Sequence, residues 1–295
     1  MLLRRALVRR LASPRHACVF ISTDSHVVDG VLSSLPTLLF DLDGTLVNTL
    51  PDLASALNHT VAAHASTPLT HDDVRPMIGD GVPVLVERAL RRVVLQEAGI
   101  VPGDAADAAD ADAADLDAAA ARVAGLLDAS VADFHAYYNA HCAVDSVLYD
   151  GVEATLAALQ EEGWPLGVCT NKPVVPAQAI LDGLGIAGYF GAAVVGGDSL
   201  PVRKPHAGPL LHAVACAGGD LDAPVGVGAV MVGDGGNDVK GARAAGFPVV
   251  AVTYGYTSLE ELEAMRPDAM VGGFGELRAV LERWRVDGRD ANRSM

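Results

Sequence analysis

Two carboxylates one residue apart, Asp41 and Asp43, stand with Gly44 and Thr45 at the end of the apolar run Leu35-Pro36-Thr37-Leu38-Leu39-Phe40. That run is short and bounded like a buried parallel strand. Unpaired carboxylates at the mouth of such a strand repel each other and resist desolvation unless a cation sits between them. Oxygen-only ligands suit Mg2+, which takes one or two carboxylates and completes its shell with water and phosphate oxygens. Gly44 would let backbone N–H groups approach a phosphate, and Thr45 adds a hydroxyl donor. The plain alternative for these residues is a strand followed by an acidic turn.

The elements that would position them follow from periodicity. Residues 52–146 carry helical patterns with no strand signal: Leu53, Leu57 and Val61 recur every four residues, a second helix opens near His71, a third carries Val84, Leu85, Ala89, Leu90 and Val93, and another carries Val123, Leu126, Leu127, Val131, Phe134 and Tyr138. Within this stretch, residues 101–121 are low-complexity Ala/Asp, read as a solvated helix extension or a flexible insertion. From Tyr149 the pattern changes to alternating helices and buried strands, the strands falling at 166–170, 192–195, 227–232 and 249–252. The expected fold class is therefore α/β, a doubly wound parallel sheet (a Rossmann-like core) with an inserted all-helical cap domain. The expected boundaries are an N-terminal extension at 1–34, a core at 35–51 and 148–288, a cap at 52–147 and a tail at 289–295.

In such sheets ligands bind beyond the carboxyl ends of the strands. Past the second core strand lie Thr170-Asn171-Lys172-Pro173, where a hydroxyl and helix N-terminal amides could hold an anion. Past the third lie Gly196-Gly197-Asp198 and then Arg203-Lys204-Pro205; past the fourth, Gly233-Asp234-Gly235-Gly236-Asn237-Asp238. Asp234 could complete the Mg2+ shell, while Asp238 could cap a helix or support that shell from behind. Each residue taken singly has a structural explanation, a cap or a solvated lysine. Four successive strand ends delivering an acid pair, a hydroxyl, a lysine and an acid to one edge do not.

Composition narrows the partners. Among 295 residues, 51% are hydrophobic and 5% aromatic, and the net charge is −16 with no basic patch in the body of the chain. Nucleic acid and anionic membranes are disfavoured as partners, and an anionic substrate has to be drawn in by a local site. The four cysteines are scattered, with neither zinc spacing nor a disulfide framework, which suits a reducing compartment. The nine histidines show no ligand spacing. Residues 1–23 carry five arginines and no acid, as an organelle transit peptide or a disordered leader would. The expected location is the cytoplasm, or an organelle if that segment is a targeting signal.

Taken together, Asp41-Leu42-Asp43-Gly44-Thr45, Thr170-Asn171, Lys204-Pro205 and Gly233-Asp234 with Asp238 resemble the four motifs of the haloacid dehalogenase superfamily. Within it, Leu46–Leu53, Met77–Gly81, Leu85–Leu90, Tyr137-Tyr138, Gly167–Pro173, Lys204-Pro205-His206 and Thr253–Tyr256 are similar to the phosphoglycolate phosphatases. The resemblance covers residues 36 to about 282 and departs from the family at Gly235, where a Ser or Thr is usual, at Asn48, and in the Ala/Asp insertion.

The resemblance implies a Mg2+-dependent phosphomonoester hydrolase acting through an aspartyl-phosphate, with 2-phosphoglycolate as substrate. In that scheme Asp41 is the nucleophile and Asp43 the general acid and base. Asp41, Asp43 (through its backbone carbonyl) and Asp234 hold the metal, Lys204 screens charge, and Gly44, Thr45, Thr170 and Asn171 grip the phosphate. The cap would act as a lid. Arg75 is the candidate for the substrate carboxylate, with His59 and Arg88 behind it, and Phe134, Tyr137 and Tyr138 are expected to pack the cap helices. The partner is a small phosphorylated metabolite, and the chain a monomer or homodimer. Phosphosugar phosphatase, pyrophosphatase and sugar-phosphate mutase activities remain open on this scaffold. A C–P bond hydrolase does not, because residues 52–146 contain no lysine to form its Schiff base; a dehalogenase would lack the second acid. The remote alternative from another class is a phospho-acceptor signalling module, which predicts a short, cap-free chain with its acids adjacent.

Overall fold

The computed structural model describes residues 35–65, 67–100, 112–223 and 226–293, so the N-terminal extension and the first half of the Ala/Asp-rich stretch lie outside the described residues. The chain divides into two compact units, one formed by residues up to Val47 together with those from Leu148, the other by Asn48–Val147.

The first unit is built on six strands, β1 (Thr37–Phe40), β4 (Leu166–Cys169), β5 (Val194–Val195), β6 (Ala229–Gly233), β7 (Val249–Val252) and β8 (Ala269–Val271). The two-residue strands β2 (Val47–Asn48) and β3 (Val147–Leu148) mark where the chain leaves this unit and returns. Within the six-stranded sheet the pairings are parallel, in the order β5-β4-β1-β6-β7-β8. Numbered by their succession in the core this is 3-2-1-4-5-6, with the switch between β1 and β6, the place where such sheets open a crevice. The expected doubly wound parallel sheet is therefore observed.

Every residue of β1 is buried, as a central strand covered on both faces requires. Leu39 points into a cluster with Leu210, Leu211, Met231, Val239 and Val249, beneath helices α7 (Ala207–Cys216) and α8 (Gly236–Ala245). Phe40, one residue on, takes the opposite face and meets the rings of Phe274 at 5.7 Å and Phe190 at 6.2 Å. Each of these fully buried side chains contributes about 2 kcal/mol. The remaining helices of this unit are α5 (Val152–Glu161), α6 (Val174–Gly183), α9 (Leu259–Met265) and α10 (Leu277–Arg293). The last runs through Arg293, past the expected tail boundary at 288. Cys142 and Cys169 are free and buried.

The second unit is helical: α1 (Leu50–Val61), α2 (His71–Val74) running into a 3-10 turn at Arg75–Met77, α3 (Val82–Glu97) and α4 (Ala113–His141). The Ala/Asp-rich stretch from Ala113 onward is the first part of α4, capped by the Asp112 carboxylate on the Ala114 N–H at 3.2 Å, with Ala119 and Val123 buried. Phe134 and Tyr138, one turn apart, are buried and stacked at 5.2 Å, the packing role expected of them. Among the described residues no helix is long and apolar enough to cross a membrane.

One buried charge organises this unit. Asp52, 3% exposed, accepts the N–H groups of Val144, Asp145 and Ser146 at 3.1, 3.0 and 2.9 Å and the Ser146 hydroxyl at 2.6 Å. Four donors replace the carboxylate's water shell, which is what allows it inside. Asp52→Ala leaves all four without an acceptor and should cost about 3 kcal/mol, read as a lower urea midpoint, with Asp52→Asn costing less.

Candidate active site

Asp41 follows β1 directly, its backbone N–H bound to the Val232 carbonyl of β6 at 2.9 Å and its own Oδ1 accepting the Leu42 N–H at 2.7 Å. Asp234 follows β6, and Asp238 sits in the first turn of α8, where its Oδ2 accepts the Gly235 N–H at 3.0 Å. One carboxylate oxygen from each of Asp41, Asp234 and Asp238 lies within 4.8 Å of the others. Lys204, in the loop before α7, is buried to 2% exposure and brings its Nζ to 2.6 Å from Asp238 Oδ1 and 3.1 Å from Asp41 Oδ1.

Asp234 is the most constrained acid of the group. Its Oδ2 accepts the Tyr256 N–H at 2.7 Å and its Oδ1 the Thr45 hydroxyl at 3.1 Å. Tyr254 in turn donates its hydroxyl to the Thr45 carbonyl at 2.8 Å. Gly44 and Gly255 press against the same carboxylate. A Cβ on Gly44 would lie 2.4 Å from Asp234 Oδ2 and a Cβ on Gly255 2.3 Å from Asp234 Cβ, while Gly44 also holds φ at +78°.

The electrostatics follow from burial. Desolvation pushes the Asp41 carboxyl up to about 6, with Lys204 opposing it and Asp238 and Asp43 adding to it. Desolvation, then repulsion from Asp238 and Asp41, pushes Asp234 up to about 8 against its hydrogen bonds from Tyr256 and Thr45. Burial alone would lower the Lys204 ammonium, but Asp238 and Asp41 outweigh it and hold the charge above the ordinary lysine range. Burial pushes the Cys169 thiol up to about 12, which leaves it chemically idle.

Asp43 belongs to a second ion pair. Lys172, 6% exposed, places its Nζ 2.8 and 3.1 Å from the two oxygens of Asp43. Thr170 and Asn171 are buried beside it: the Thr170 hydroxyl oxygen accepts the Lys172 N–H at 3.2 Å, and the Asn171 side-chain amide donates to the Lys204 carbonyl at 3.0 Å. Asn171 thus links the motif after β4 to the loop that carries Lys204.

Residues 35–246 match the family model for haloacid dehalogenase-like hydrolases. The chain belongs to this hydrolase family. It is 38% identical over 248 residues to a protein named phosphoglycolate phosphatase from Agrobacterium fabrum, covering 83% of this chain and 92% of that one. It is 40% identical over 240 residues to one of the same name from Rhodospirillum rubrum, covering 81% and 88%. Among solved structures it is similar, with a TM-score of 0.68 and 30% identity over 85% of this chain and 99% of the other, to a protein described as a predicted phosphoglycolate phosphatase from Haemophilus somnus.

The haloacid dehalogenase-like scaffold thus brings together Asp41, Asp43, Gly44, Thr45, Thr170, Asn171, Lys204, Asp234 and Asp238 at one sheet edge. The Thr45 hydroxyl, expected on a phosphate, is committed to Asp234. Lys172, Tyr254 and Gly255 carry parts of the site to which sequence reasoning gave no role. Arg75 lies in the helical unit, at the start of the 3-10 turn. Of its two understudies, His59 stacks on Tyr137 at 4.2 Å, and Arg88 is engaged with Asp80 at 2.6 Å and the Met77 carbonyl at 2.9 Å.

The donor set fits a divalent cation. All candidate ligands are oxygens, Asp238 is already occupied by Lys204 and the Gly235 N–H, and Asp41 and Asp234 carry raised pKa values that a shared positive charge would bring down. Raised folded-state values also set a pH dependence. The folded chain binds these two protons more tightly than the unfolded chain, so their contribution to stability is full below the ordinary value of 3.8 and is lost as pH rises through about 6 for Asp41 and about 8 for Asp234. In chelator, the melting temperature should therefore fall from pH 5 to pH 8. Added Mg2+ should raise it more at pH 8 than at pH 5, and Asp234→Asn should remove most of that difference.

Proposed function

We propose that this haloacid dehalogenase-like hydrolase is a Mg2+-dependent phosphatase that hydrolyses 2-phosphoglycolate to glycolate and phosphate through an aspartyl-phosphate on Asp41. The observation that carries the reading is the buried Lys204 ammonium 3.1 Å from Asp41 at the switch point of the sheet, the place where a carboxylate nucleophile and a phosphate dianion have to be brought together against their mutual repulsion. The names of the relatives support the substrate class.

In this scheme Asp41 attacks phosphorus in line, the leaving alkoxide departs with a proton from Asp43, and the phosphoryl group rests on the Asp41 oxygen. Asp43 then takes a proton from water, which attacks the same phosphorus and releases Asp41. Lys204 stays protonated throughout and offsets charge on the transferred group. The Thr170 hydroxyl, which accepts from Lys172 but keeps its own proton, and the backbone N–H groups near Gly44 are the donors for the non-bridging oxygens. Asp41, Asp234 and the Asp43 backbone carbonyl would hold Mg2+, which when bound supplies the remaining positive charge. Arg75 is the donor proposed for the substrate carboxylate.

Asp41→Asn should abolish turnover with the melting temperature retained. Across 2-phosphoglycolate, hexose phosphates, pyrophosphate and amino-sugar phosphates with Mg2+, kcat/KM should be highest for 2-phosphoglycolate, and a low rank there ends the substrate reading. Arg75→Ala should raise KM for 2-phosphoglycolate by about tenfold and leave KM for p-nitrophenyl phosphate unchanged.

A further inference from the structure

Lys172 is buried to 6% exposure, and its surroundings fix it before its side chain is considered. Its N–H donates to the Thr170 hydroxyl oxygen at 3.2 Å and its carbonyl accepts the Gly197 N–H at 2.8 Å. Two residues on, the Val174 N–H donates to Asp198 Oδ1 at 2.8 Å. Gly196 and Gly197 lie so close that a Cβ on the first would stand 2.4 Å from the Val174 nitrogen and 2.8 Å from the Lys172 carbonyl oxygen, and a Cβ on the second 2.3 Å from the Asn171 carbonyl oxygen. From this clamped backbone the ammonium spans both oxygens of Asp43. A buried lysine gives up both water and rotamer freedom, so its site must supply a partner of opposite charge.

We propose that Lys172 is the positioning residue for Asp43: by contacting both oxygens it fixes the rotation of the carboxyl group and so aims the oxygen that delivers and later removes the proton. The inference rests on the phosphatase reading above and assigns Lys172 a part in both half-reactions, through Asp43 rather than by contact with substrate. Proton transfer by a placed side chain is worth about 10²- to 10⁴-fold, and the part of it that depends on aim is lost when the aim is lost. The loss has a chemical signature. An alkoxide leaving group needs the proton as the P–O bond breaks, whereas p-nitrophenolate leaves without one.

The experiment compares wild type, Lys172→Met and Lys172→Arg with Mg2+, using 2-phosphoglycolate and p-nitrophenyl phosphate, with melting temperature and circular dichroism confirming the fold of each variant. For Lys172→Met the expected result is a kcat/KM for 2-phosphoglycolate lowered about 100-fold and that for p-nitrophenyl phosphate lowered less than about fivefold. Stopped-flow traces with p-nitrophenyl phosphate should show a burst of about one nitrophenolate per site before slow turnover, because water activation by Asp43 is also impaired. Lys172→Arg, which keeps a cation able to contact both oxygens, should recover most of the loss. Equal losses for the two substrates, or no loss, overturns the proposal. A rise in KM confined to 2-phosphoglycolate with kcat kept also overturns it, and makes Lys172 a substrate ligand. Should Lys172→Met not fold, Lys172→Gln is read in the same way. Wild type that turns over neither substrate refutes the phosphatase reading itself, an outcome separate from any effect of the variants.

Discussion

The contact between the Lys204 ammonium and the carboxylates of Asp41 and Asp238 is the constraint around which the catalytic unit is arranged. A lysine taken out of water costs several kcal/mol unless opposite charge meets it, and a group of buried carboxylates is equally costly alone. Each makes the other tolerable. The pairing also requires three separate loops, after β1, before α7 and at the start of α8, to arrive at one point. A parallel sheet whose strand order reverses between β1 and β6 provides that point, since consecutive crossovers leave on opposite sides and open a gap at the carboxyl edge. The burial of β1 on both faces then holds the gap rigid.

A second ion pair gives different partners to two acids that the sequence places only one residue apart. Asp41 faces Lys204 and the other carboxylates, and Asp43 faces Lys172. A nucleophile has to be stripped of water and kept close to positive charge. A proton carrier instead has to point at the leaving oxygen and be held there. Under the mechanism proposed above, two lysines on different loops would let the same strand end supply both.

The clustering of the site residues is legible because they are side chains at strand ends, and strand ends can be located from buried apolar runs without knowing the tertiary structure. Asp41, Thr170, Lys204 and Asp234 are located in this way. Lys172 escaped because a Lys between Asn and Pro at a helix start looks the same whether it is solvated or buried; only the close approach of Gly196 and Gly197, a tertiary fact, separates the two. Gly255 escaped for a related reason, since a glycine in a loop does not announce which carboxylate it makes room for. The strand Ala269–Val271 is three residues long at the sheet edge, too short for periodicity to register, and β5 shrinks to Val194–Val195 although four residues there suit a strand. Thr45 offers a hydroxyl in the sequence and does use it, but on Asp234, because a buried acid competes for the nearest donor.

Specificity is less legible than chemistry, and the arginines of the helical unit show why. Arg88 is engaged with Asp80 and the Met77 carbonyl, Arg92 with Asp73 at 2.5 Å, and Arg122 with Glu97 at 2.7 Å. From sequence all three are as eligible as Arg75 to meet a substrate carboxylate. An arginine already satisfied by an acid of its own unit would have to exchange one carboxylate for another, a trade with little net gain, so each of these is better accounted for as a brace of its own helices. Arg88 in particular ties α3 to the Gly79-Asp80-Gly81 turn, where two glycines at positive φ leave the backbone in need of such a tie. Structural use of these three cations narrows the arginines of the helical unit open to a substrate carboxylate to Arg75 and the exposed Arg91.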